Sequence, residues 1–190
     1  KELSTGSWNG TAYHRSITAT KFLAINTAAV ATTLTSMFND TEPTTTTITV
    51  GTQGGVNLSG TNNMIAYAWA NSGPYAFGSY TGNGNADGPF INIGGYPANW
   101  LHKHTTSAEG WWATPIVLPL NEANIREDRF RQDTTAAPAT SASMFWDYNA
   151  NGVKLRSTNP AFNTSGAVYI YGAFGIQPLT DGAINQGRAK

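Results

Sequence analysis

The sequence of 190 residues contains no cysteine and little charge, and both shortages narrow what the protein can be. Without cysteine it forms neither a disulfide nor a zinc site built on thiolates. Its 11 basic and 11 acidic residues give a net charge of zero, so nothing marks it for nucleic acid or an anionic membrane surface. No apolar run approaches the roughly 20 residues of a membrane-spanning helix. We therefore expect neither nucleic acid nor a membrane as a partner.

The residues that are abundant favour β-structure. Thr, Ser, Asn and Gly are frequent, aromatic residues reach 12%, and charged residues are only 12%. Polar, uncharged and β-branched side chains suit strand surfaces, and the aromatic content argues against disorder. The chain starts at Lys1 without an initiator Met, so we expect it to be processed or part of something longer. The composition predicts an all-β fold with little helix.

One stretch of the chain, from Ser143 to Phe174, has an earlier counterpart. Three landmarks recur in the same order: Ser-Met-Phe at 36–38 and 143–145, Asn-x-Ser-Gly at 57–60 and 163–166, and an apolar segment at 64–69 and 169–174. Their offsets are nearly constant, at 107, 106 and 105 positions. Weaker echoes pair Trp8 with Trp111 and Ile25-Asn26 with Leu120-Asn121. We interpret this pattern as a tandem duplication.

The duplication predicts two related antiparallel β-sandwich units of jelly-roll type in tandem. Copy one is residues 1–73 and copy two is residues 74–179, separated at the turn sequence Asn-Ser-Gly-Pro, and residues 180–190 form a tail. The apolar segments 64–69 and 169–174 should each be a central strand covered on both faces. Copy one lacks a counterpart of the block from Phe77 to Ile93, so we expect an exposed edge that an absent segment or a partner chain completes.

Other strands are predicted at Phe77–Thr81, Phe90–Ile93 and Asn99–His104. Thr44–Val50 is β-branched and should be an exposed strand. Two prolines in Trp111–Leu120 indicate an edge strand or an irregular crossing.

The two copies differ most between Asn121 and Ser143, where copy two is longer and rich in charge. Two i,i+4 pairs, Glu122/Arg126 and Glu127/Arg131, favour a short helix that Asn121 caps. One interpretation is a solvated excursion; the other is a contact surface for a neighbouring subunit. The residues that would make such an interface are Glu122, Arg126, Arg129 and Arg131.

Four motifs together resemble a known family. They are the segments 78–84 (GSYTGNG), 87–90 (DGPF), 151–156 (NGVKLR) and 163–166 (NTSG), the last followed by Tyr-Ile-Tyr at 169–171. In copy one, the segments 13–14, 21–23, 39–43 and 50–52 contribute to the same resemblance. As a set these motifs resemble the tandem β-domain of tail-fibre and tail-associated proteins of tailed phages, over roughly residues 8–178. The resemblance implies a structural or appendage role in the virion and no catalytic residues.

Metal binding is a weak alternative at two kinds of position. The segments 83–88 and 147–152, which contain Asp87 and Asp147, offer oxygen ligands at alternating positions, as in the first half of a calcium loop. Both lack the closing Glu, and Asn-Gly and Asp-Gly also predict hairpin turns. His102 and His104 share one face of a predicted strand, which we expect to be polar and partly exposed, although three chains around an axis would offer six ligands.

Trp111 and Trp112, with Glu109, are candidates for carbohydrate or partner contact, because aromatic rings stack on sugars. Packing in the core or between subunits is the alternative. Two carboxylates across a cleft, as glycoside hydrolysis requires, are not indicated, and there is no Ser-His-Asp pattern. We therefore expect no enzyme activity, no catalytic residues and no cofactor.

These observations lead to one main hypothesis about function. The protein is expected to be a non-enzymatic structural component of a phage virion, in the tail or a fibre, that works as an oligomer with other virion proteins. A homotrimer is favoured. The alternatives are a carbohydrate-binding domain that recognises host surface glycans and a decoration protein on the capsid.

Overall fold

A computed structural model of the chain describes residues 9–58, 63–115 and 125–178, and within them it contains many short strands and little helix. The strands are β1 Thr11–Ala12, β2 Lys21–Ala24, β3 Thr32–Thr33, β4 Tyr75–Thr81, β5 Phe90–Asn92, β6 Gly95–Tyr96, β7 Asn99–His104, β8 Trp112–Pro115, β9 Ile125–Arg126, β10 Asp128–Arg131, β11 Ala139–Thr140, β12 Trp146–Asn149, β13 Gly152–Leu155, β14 Val168–Phe174 and β15 Gln177–Pro178. The helices are α1 Thr35–Phe38, α2 Gly54–Asn57 and α3 Pro160–Asn163. The strand pairs are antiparallel, which confirms the predicted all-β class.

Copy two is a sandwich of two sheets. One sheet has six strands in the order β11-β10-β8-β7-β14-β4, and the other has four in the order β5-β13-β12-β9. Because strand residues alternate between faces, each sheet turns one set of large side chains toward the other. Trp100, Trp146, Tyr148, Phe162 and Tyr169 are fully buried in this shared core. The predicted strands β4, β5 and β7 lie within one or two residues of their expected bounds.

The strand β14 is central, as expected. It pairs with β7 on one side and β4 on the other along nearly its whole length. Two glycines make room for aromatic rings across the β14–β4 pair: a Cβ on Gly78 would lie 2.7 Å from Tyr171 Oη, and one on Gly172 would lie 2.9 Å from the Phe77 ring. Each ring therefore packs over a glycine of the neighbouring strand, on opposite faces of the sheet.

Copy one adds a third layer on the outer face of the six-stranded sheet. Its strands form a three-stranded sheet, β1-β2-β3. Leu23 of β2 is buried against Trp111 and Ile170 of copy two. The Trp111 indole N–H donates to the carbonyl oxygen of Ala24 at 2.8 Å, which joins the layers by a buried hydrogen bond. The part of the outer face that copy one covers is thus an internal surface of the protein.

The three-stranded sheet repeats part of the six-stranded one. Lys21 pairs with Thr33 between β2 and β3, and Asp128 pairs with Thr140 between β10 and β11, an offset of 107 at both positions (128 − 21 and 140 − 33). The strand β1 pairs with β2 as β8 pairs with β10. The order β3-β2-β1 in copy one therefore corresponds to β11-β10-β8 in copy two.

Two of the short helices also correspond. The helices α2 and α3 have the same length and lie 106 positions apart (160 − 54). The last residue of each makes the same side-chain hydrogen bond: Asn57 Nδ2 donates to Gly51 O at 3.0 Å, and Asn163 Nδ2 donates to Ser157 O at 2.9 Å. Geometry shared at this level supports the interpretation of a tandem duplication.

The predicted closing strand of copy one is not a strand. Residues 65–70 lie outside every strand, and Ile65, Tyr67 and Trp69 are 38%, 72% and 51% exposed. The matching segment in copy two is β14, which is held between two neighbouring strands. A segment becomes a strand only through paired backbone groups, and residues 65–70 form no part of any sheet that the structure describes. The expectation of a covered central strand was therefore wrong for copy one.

The β-branched run from Thr44 to Val50 also lies outside every strand, contrary to prediction. The hydroxyl oxygen of Thr44 accepts hydrogen bonds from the backbone N–H groups of Thr46 and Thr47, at 3.2 and 3.0 Å. Such local side-chain bonds hold the backbone in a turn and compete with strand pairing.

The charged region of copy two and the strand β8 before it both differ from prediction. Its described part, from residue 125, forms the strands β9 and β10 and not a helix, while residues 121–124 lie outside the described residues. The strand β8 is interior, between β10 and β7, and not at an edge; Pro115 stands at its end. The offset between corresponding residues is 101 for β1 and β8 (112 − 11) and 107 for β2 and β10 (131 − 24). The extra residues of copy two therefore lie between β8 and β10. The pairing of Ile25-Asn26 with Leu120-Asn121 was thus out of register.

Candidate functional site

The two predicted cation loops are held by the protein's own groups. Asp87 forms an ion pair with Lys154 at 2.7 Å, and Asp147 forms one with Arg156 at 2.7 Å. The hydrogen bond from Lys154 lowers the pKa of Asp87. Among the described residues, no group of three or more His, Asp or Glu side chains is placed to hold a metal ion. The carboxylates act as partners for neighbouring cations of the protein, so the alternative of a calcium loop finds no support.

The loop at 83–88 is organised by one buried amide. The Asn163 side chain accepts a hydrogen bond from the Asn83 backbone N–H at 2.8 Å and donates to Asn83 Oδ1 at 2.9 Å and to Asn85 O at 2.8 Å. Asn83 and Asn85 in turn accept from backbone N–H groups two residues on. The loop oxygens that a cation would need are therefore already hydrogen-bonded.

His102 and His104 share one strand face, as predicted, but that face is buried and not exposed. They are 0% and 4% exposed. His102 lies among aromatic rings, with ring centroids 4.7 Å from Phe162 and 5.5 Å from Trp146. Burial lowers the pKa of His102 to about 3, and burial also lowers the pKa of His104. Both imidazoles are thus core residues that are kept neutral, and the expectation of an exposed polar face was wrong.

The predicted carbohydrate platform is not present at the surface. Trp111 is 6% exposed and covered by copy one, and Trp112 packs in the sandwich core against Phe162 at 5.5 Å. The guanidinium groups of Arg129 and Arg131 lie 5.3 and 5.6 Å from the centroid of the Trp112 ring. The two rings lie on successive residues at the start of β8, Trp111 buried against copy one and Trp112 partly buried against the sandwich core. Carbohydrate contact through Trp111 is therefore wrong. Glu109, which was predicted to act with these two rings, is half-buried.

Of the four predicted interface residues, the described side chains serve the protein's own fold. Arg129 is 5% exposed and donates to Glu127 O at 2.8 Å. Arg131 forms an ion pair with Asp133, whose side chain is 2% exposed. Glu122 lies outside the described residues, as does the side chain of Arg126. Arg129 is therefore wrong as an interface residue, because its guanidinium is buried inside the chain.

One buried charge lies between copy one and copy two. Lys103 of β7 is 0% exposed, and its ammonium group donates to the carbonyl oxygens of His104 at 2.9 Å and Ala28 at 3.2 Å. Burial lowers the pKa of Lys103 to about 8, although the negative charges of Asp133 and Glu109 partly oppose this shift. Lys103 thus links copy one to the six-stranded sheet, although burial disfavours the charged form of its amine.

We expect Lys103 to make the protein more stable as the pH rises from 8 to 10, relative to a variant without this amine. In that range an unfolded lysine, with its ordinary pKa of 10.5, keeps a proton that folded Lys103 has lost. The unfolded state then binds more protons, so the free energy of unfolding rises with pH, by an amount on the order of 2 kcal/mol. Urea denaturation at both pH values measures this rise. Lys103→Met should abolish it and the exposed Lys21→Met should not; a rise that survives in Lys103→Met contradicts the assignment.

We name a set of neighbouring aromatic rings the aromatic ridge: the exposed Tyr67 and Trp69 and the partly exposed Tyr75, Phe77 and Phe174. Tyr67 and Trp69 stack with centroids 6.2 Å apart and an interplanar angle of 23°. Trp69 meets the edge of Phe174 at 5.7 Å, and Phe174 meets Tyr75 and Phe77 at 6.1 and 5.4 Å. The ridge joins the exposed end of copy one to the outer face of copy two.

A cleft of about 360 Å³ opens beside the aromatic ridge. Its walls include Ala12 of β1 and Trp69, and its floor includes Leu101 and Ile170 on the outer face of the six-stranded sheet. The volume and the mostly apolar lining are typical of binding clefts in proteins. The cleft and the ridge together form the candidate site.

One feature of the sequence pointed toward this site. The duplication showed that copy one lacks strands and predicted an exposed edge there. It did not show that Tyr67 and Trp69 would be exposed, because their pattern matches that of a buried strand. Of the predicted contact residues, Trp111 is buried and Trp112 is partly buried, and neither belongs to the aromatic ridge.

Comparison with known proteins adds a family but no described activity. No helix among the described residues is long and apolar enough to cross a membrane. No curated protein and no solved structure shows detectable similarity to the chain. A protein family matches residues 1–178, which include both copies of the repeat. The chain therefore belongs to the family described as a domain of unknown function, DUF7483.

Proposed function

We propose that the protein is a non-enzymatic structural component of a tailed-phage particle, located in the tail or a fibre and working as an oligomer with other virion proteins. The observation that carries this proposal is the aromatic ridge. Tyr67 and Trp69 are 72% and 51% exposed on a protein whose core is otherwise well covered. Exposed aromatic surface of this kind is typical of sites that bind another macromolecule.

The polar side chains support a binding role over a catalytic one. The carboxylates of Asp87, Asp147 and Asp133 are each paired with a basic side chain of the same protein. His102 is buried among aromatic rings, and His104 Nδ1 accepts backbone hydrogen bonds from Thr106 and Ser107. None of these groups combines the access and the paired geometry that acid–base or nucleophilic catalysis requires.

The resemblance of the motifs to phage tail-associated β-domains supports the location. A low-charge sandwich with an apolar binding surface is suited to assembly, because burying apolar surface stabilises an interface by roughly 25 cal/mol per Å². In this role the repeated sandwich positions the surface, and the ridge makes the contact.

Imaging of intact particles tests the proposed function. Antibody–gold labelling of phage particles that encode the chain should place it on the tail or a fibre. Quantitative mass spectrometry of the same particles should give a copy number divisible by three if the appendage is trimeric. Labelling confined to the capsid would replace this role with capsid decoration. Absence of the protein from purified particles would exclude a virion component altogether.

A further inference from the structure

The turn that joins β1 to β2 docks copy one onto the six-stranded sheet, and we name its residues 13–18 the docking turn. Ile17 in this turn is 7% exposed and lies in the buried cluster that includes Ile170 of copy two. His14 Nε2 lies 3.1 Å from the carbonyl oxygen of Tyr171 in the central strand β14. The docking turn therefore has one apolar and one polar anchor on copy two.

The hydrogen bonds of His14 fix which ring nitrogen carries its proton. The carbonyl oxygen of Tyr171 can only accept, so Nε2 carries the hydrogen. The backbone N–H of Ser16 donates to Nδ1 at 3.1 Å, so Nδ1 keeps its lone pair. A second proton would turn Nδ1 into a donor that faces the N–H of Ser16. The doubly protonated ring therefore cannot keep both bonds of the docked turn.

The surroundings of His14 disfavour that second proton. Its ring meets the edge of Phe77 with centroids 6.4 Å apart, and burial lowers the pKa of His14. The bond to Tyr171 O opposes this shift of the pKa, and the positive charge of Arg15 adds to it. The phenol of Tyr171 stays neutral because burial raises its pKa.

The other titratable groups around the docking turn have partners of their own. Tyr13 Oη donates to the Glu42 carboxylate at 2.5 Å, and the same carboxylate accepts from the Ala19 N–H at 2.6 Å. On the sheet, the Lys103 ammonium donates to carbonyl oxygens, including that of Ala28. Among the described residues, no carboxylate forms an ion pair with His14, so none compensates the charge of the protonated ring.

The docking turn is also strained at its end. Thr18 has a φ of 63°, in the left-handed region that a β-branched residue rarely adopts. Such a conformation persists only where the surrounding contacts impose it. Loss of the anchors on copy two would let Thr18 relax, which favours a second, released conformation of the turn.

We propose that the docking turn is an acid-sensitive latch, which a second proton on His14 releases from copy two. Release withdraws Ile17 from the cluster between the copies and removes Tyr13 and His14 from the wall of the cleft. The docked state binds fewer protons at His14 than the released state, so acid shifts the equilibrium toward release. The latch goes beyond the proposed function and does not depend on a role in a phage particle.

Hydrogen exchange followed by mass spectrometry at pH 7.5 and 5.0 tests the latch, after correction for the intrinsic pH dependence of exchange. Both pH values lie above the ordinary pKa of carboxylic side chains, about 4. Protection of the amides of residues 14–18 should be roughly tenfold lower at pH 5.0, because the released His14 takes up a proton below its ordinary pKa of 6.5. Exchange in β5, on the other sheet, should stay unchanged. An equal loss of protection in β5 would mean general unfolding and overturns the proposal.

Matched variants assign the effect to His14, with exchange at intermediate pH values locating the release. His14→Gln can still donate to Tyr171 O but does not titrate, so its protection should not depend on pH. Arg15→Gln removes an exposed charge that disfavours the second proton, so release should begin at a higher pH. Lys21→Gln, at another exposed cation, should leave the release pH unchanged. A pH dependence that survives in His14→Gln, or a release pH that Arg15→Gln does not raise, overturns the proposal.

Discussion

Lowering the pH from 7 to 5 is expected to reduce the free energy of unfolding by about 2 kcal/mol through His102 alone. In the folded protein, burial lowers the pKa of His102 to about 3, so the ring stays neutral at both pH values. In the unfolded chain the ordinary pKa of 6.5 means that the ring takes up a proton below that pH. The unfolded state therefore binds more protons between pH 6.5 and 3, and stability falls throughout that range. Chemical denaturation at several pH values measures the slope.

The variant His102→Phe isolates this contribution. Phe keeps an aromatic ring between Trp146 and Phe162 but does not titrate. At pH 7 the variant should be as stable as the original protein or more so, because neither nitrogen of His102 makes a hydrogen bond of good geometry. Its loss of stability from pH 7 to 5 should be about 2 kcal/mol smaller. An unchanged pH slope would show that the acid sensitivity comes from other groups, of which His14 and His104 are the first to examine.

Replacing Asn163 by Ala is expected to lower the free energy of unfolding by about 3 kcal/mol or more, because several buried hydrogen-bonding groups lose their partner at once. Asn163 is fully buried and bonds to Asn83, Asn85 and Ser157. Loss of these bonds leaves the loop at 83–88 without its anchor. Thermal or urea denaturation gives the magnitude, and hydrogen exchange should show faster exchange in that loop.

The duplication provides a matched control for this prediction. Asn57 occupies the position equivalent to Asn163 and makes the equivalent bond, to Gly51 O, but it is exposed and holds no second loop. Asn57→Ala should therefore cost only about 1 kcal/mol, the value of a single hydrogen bond. Equal effects of the two substitutions would mean that the contacts of Asn163 with the loop contribute nothing to stability.

Much of the fold of copy two could be predicted from alternation and turn residues. The strands β4, β5 and β7 were predicted within two residues of their bounds, and the sequence repeat identified β14 as central. The charged strand β10 was missed because charges four positions apart also fit a helix. No local sequence pattern indicates that Arg129 packs on Trp112 inside the sandwich.

The sequence predicted an exposed edge in copy one but did not predict which residues form the candidate site. The repeat implied that copy one lacks strands and exposes an edge. It did not identify the exposed residues, since Ile65, Tyr67 and Trp69 carry the pattern of a buried strand. Whether such a segment is a strand depends on partners that are distant in sequence or absent, which a local pattern does not encode.

The equivalence of the corners that end in α2 and α3 has a consequence for how the chain folds. The bond from each Asn reaches back only six residues, from Asn57 to Gly51 and from Asn163 to Ser157. The corner keeps the same geometry whether or not a complete sheet follows it. Closing so short a loop costs little chain entropy, so each corner forms at low cost once its backbone meets residues 36–37 or 143.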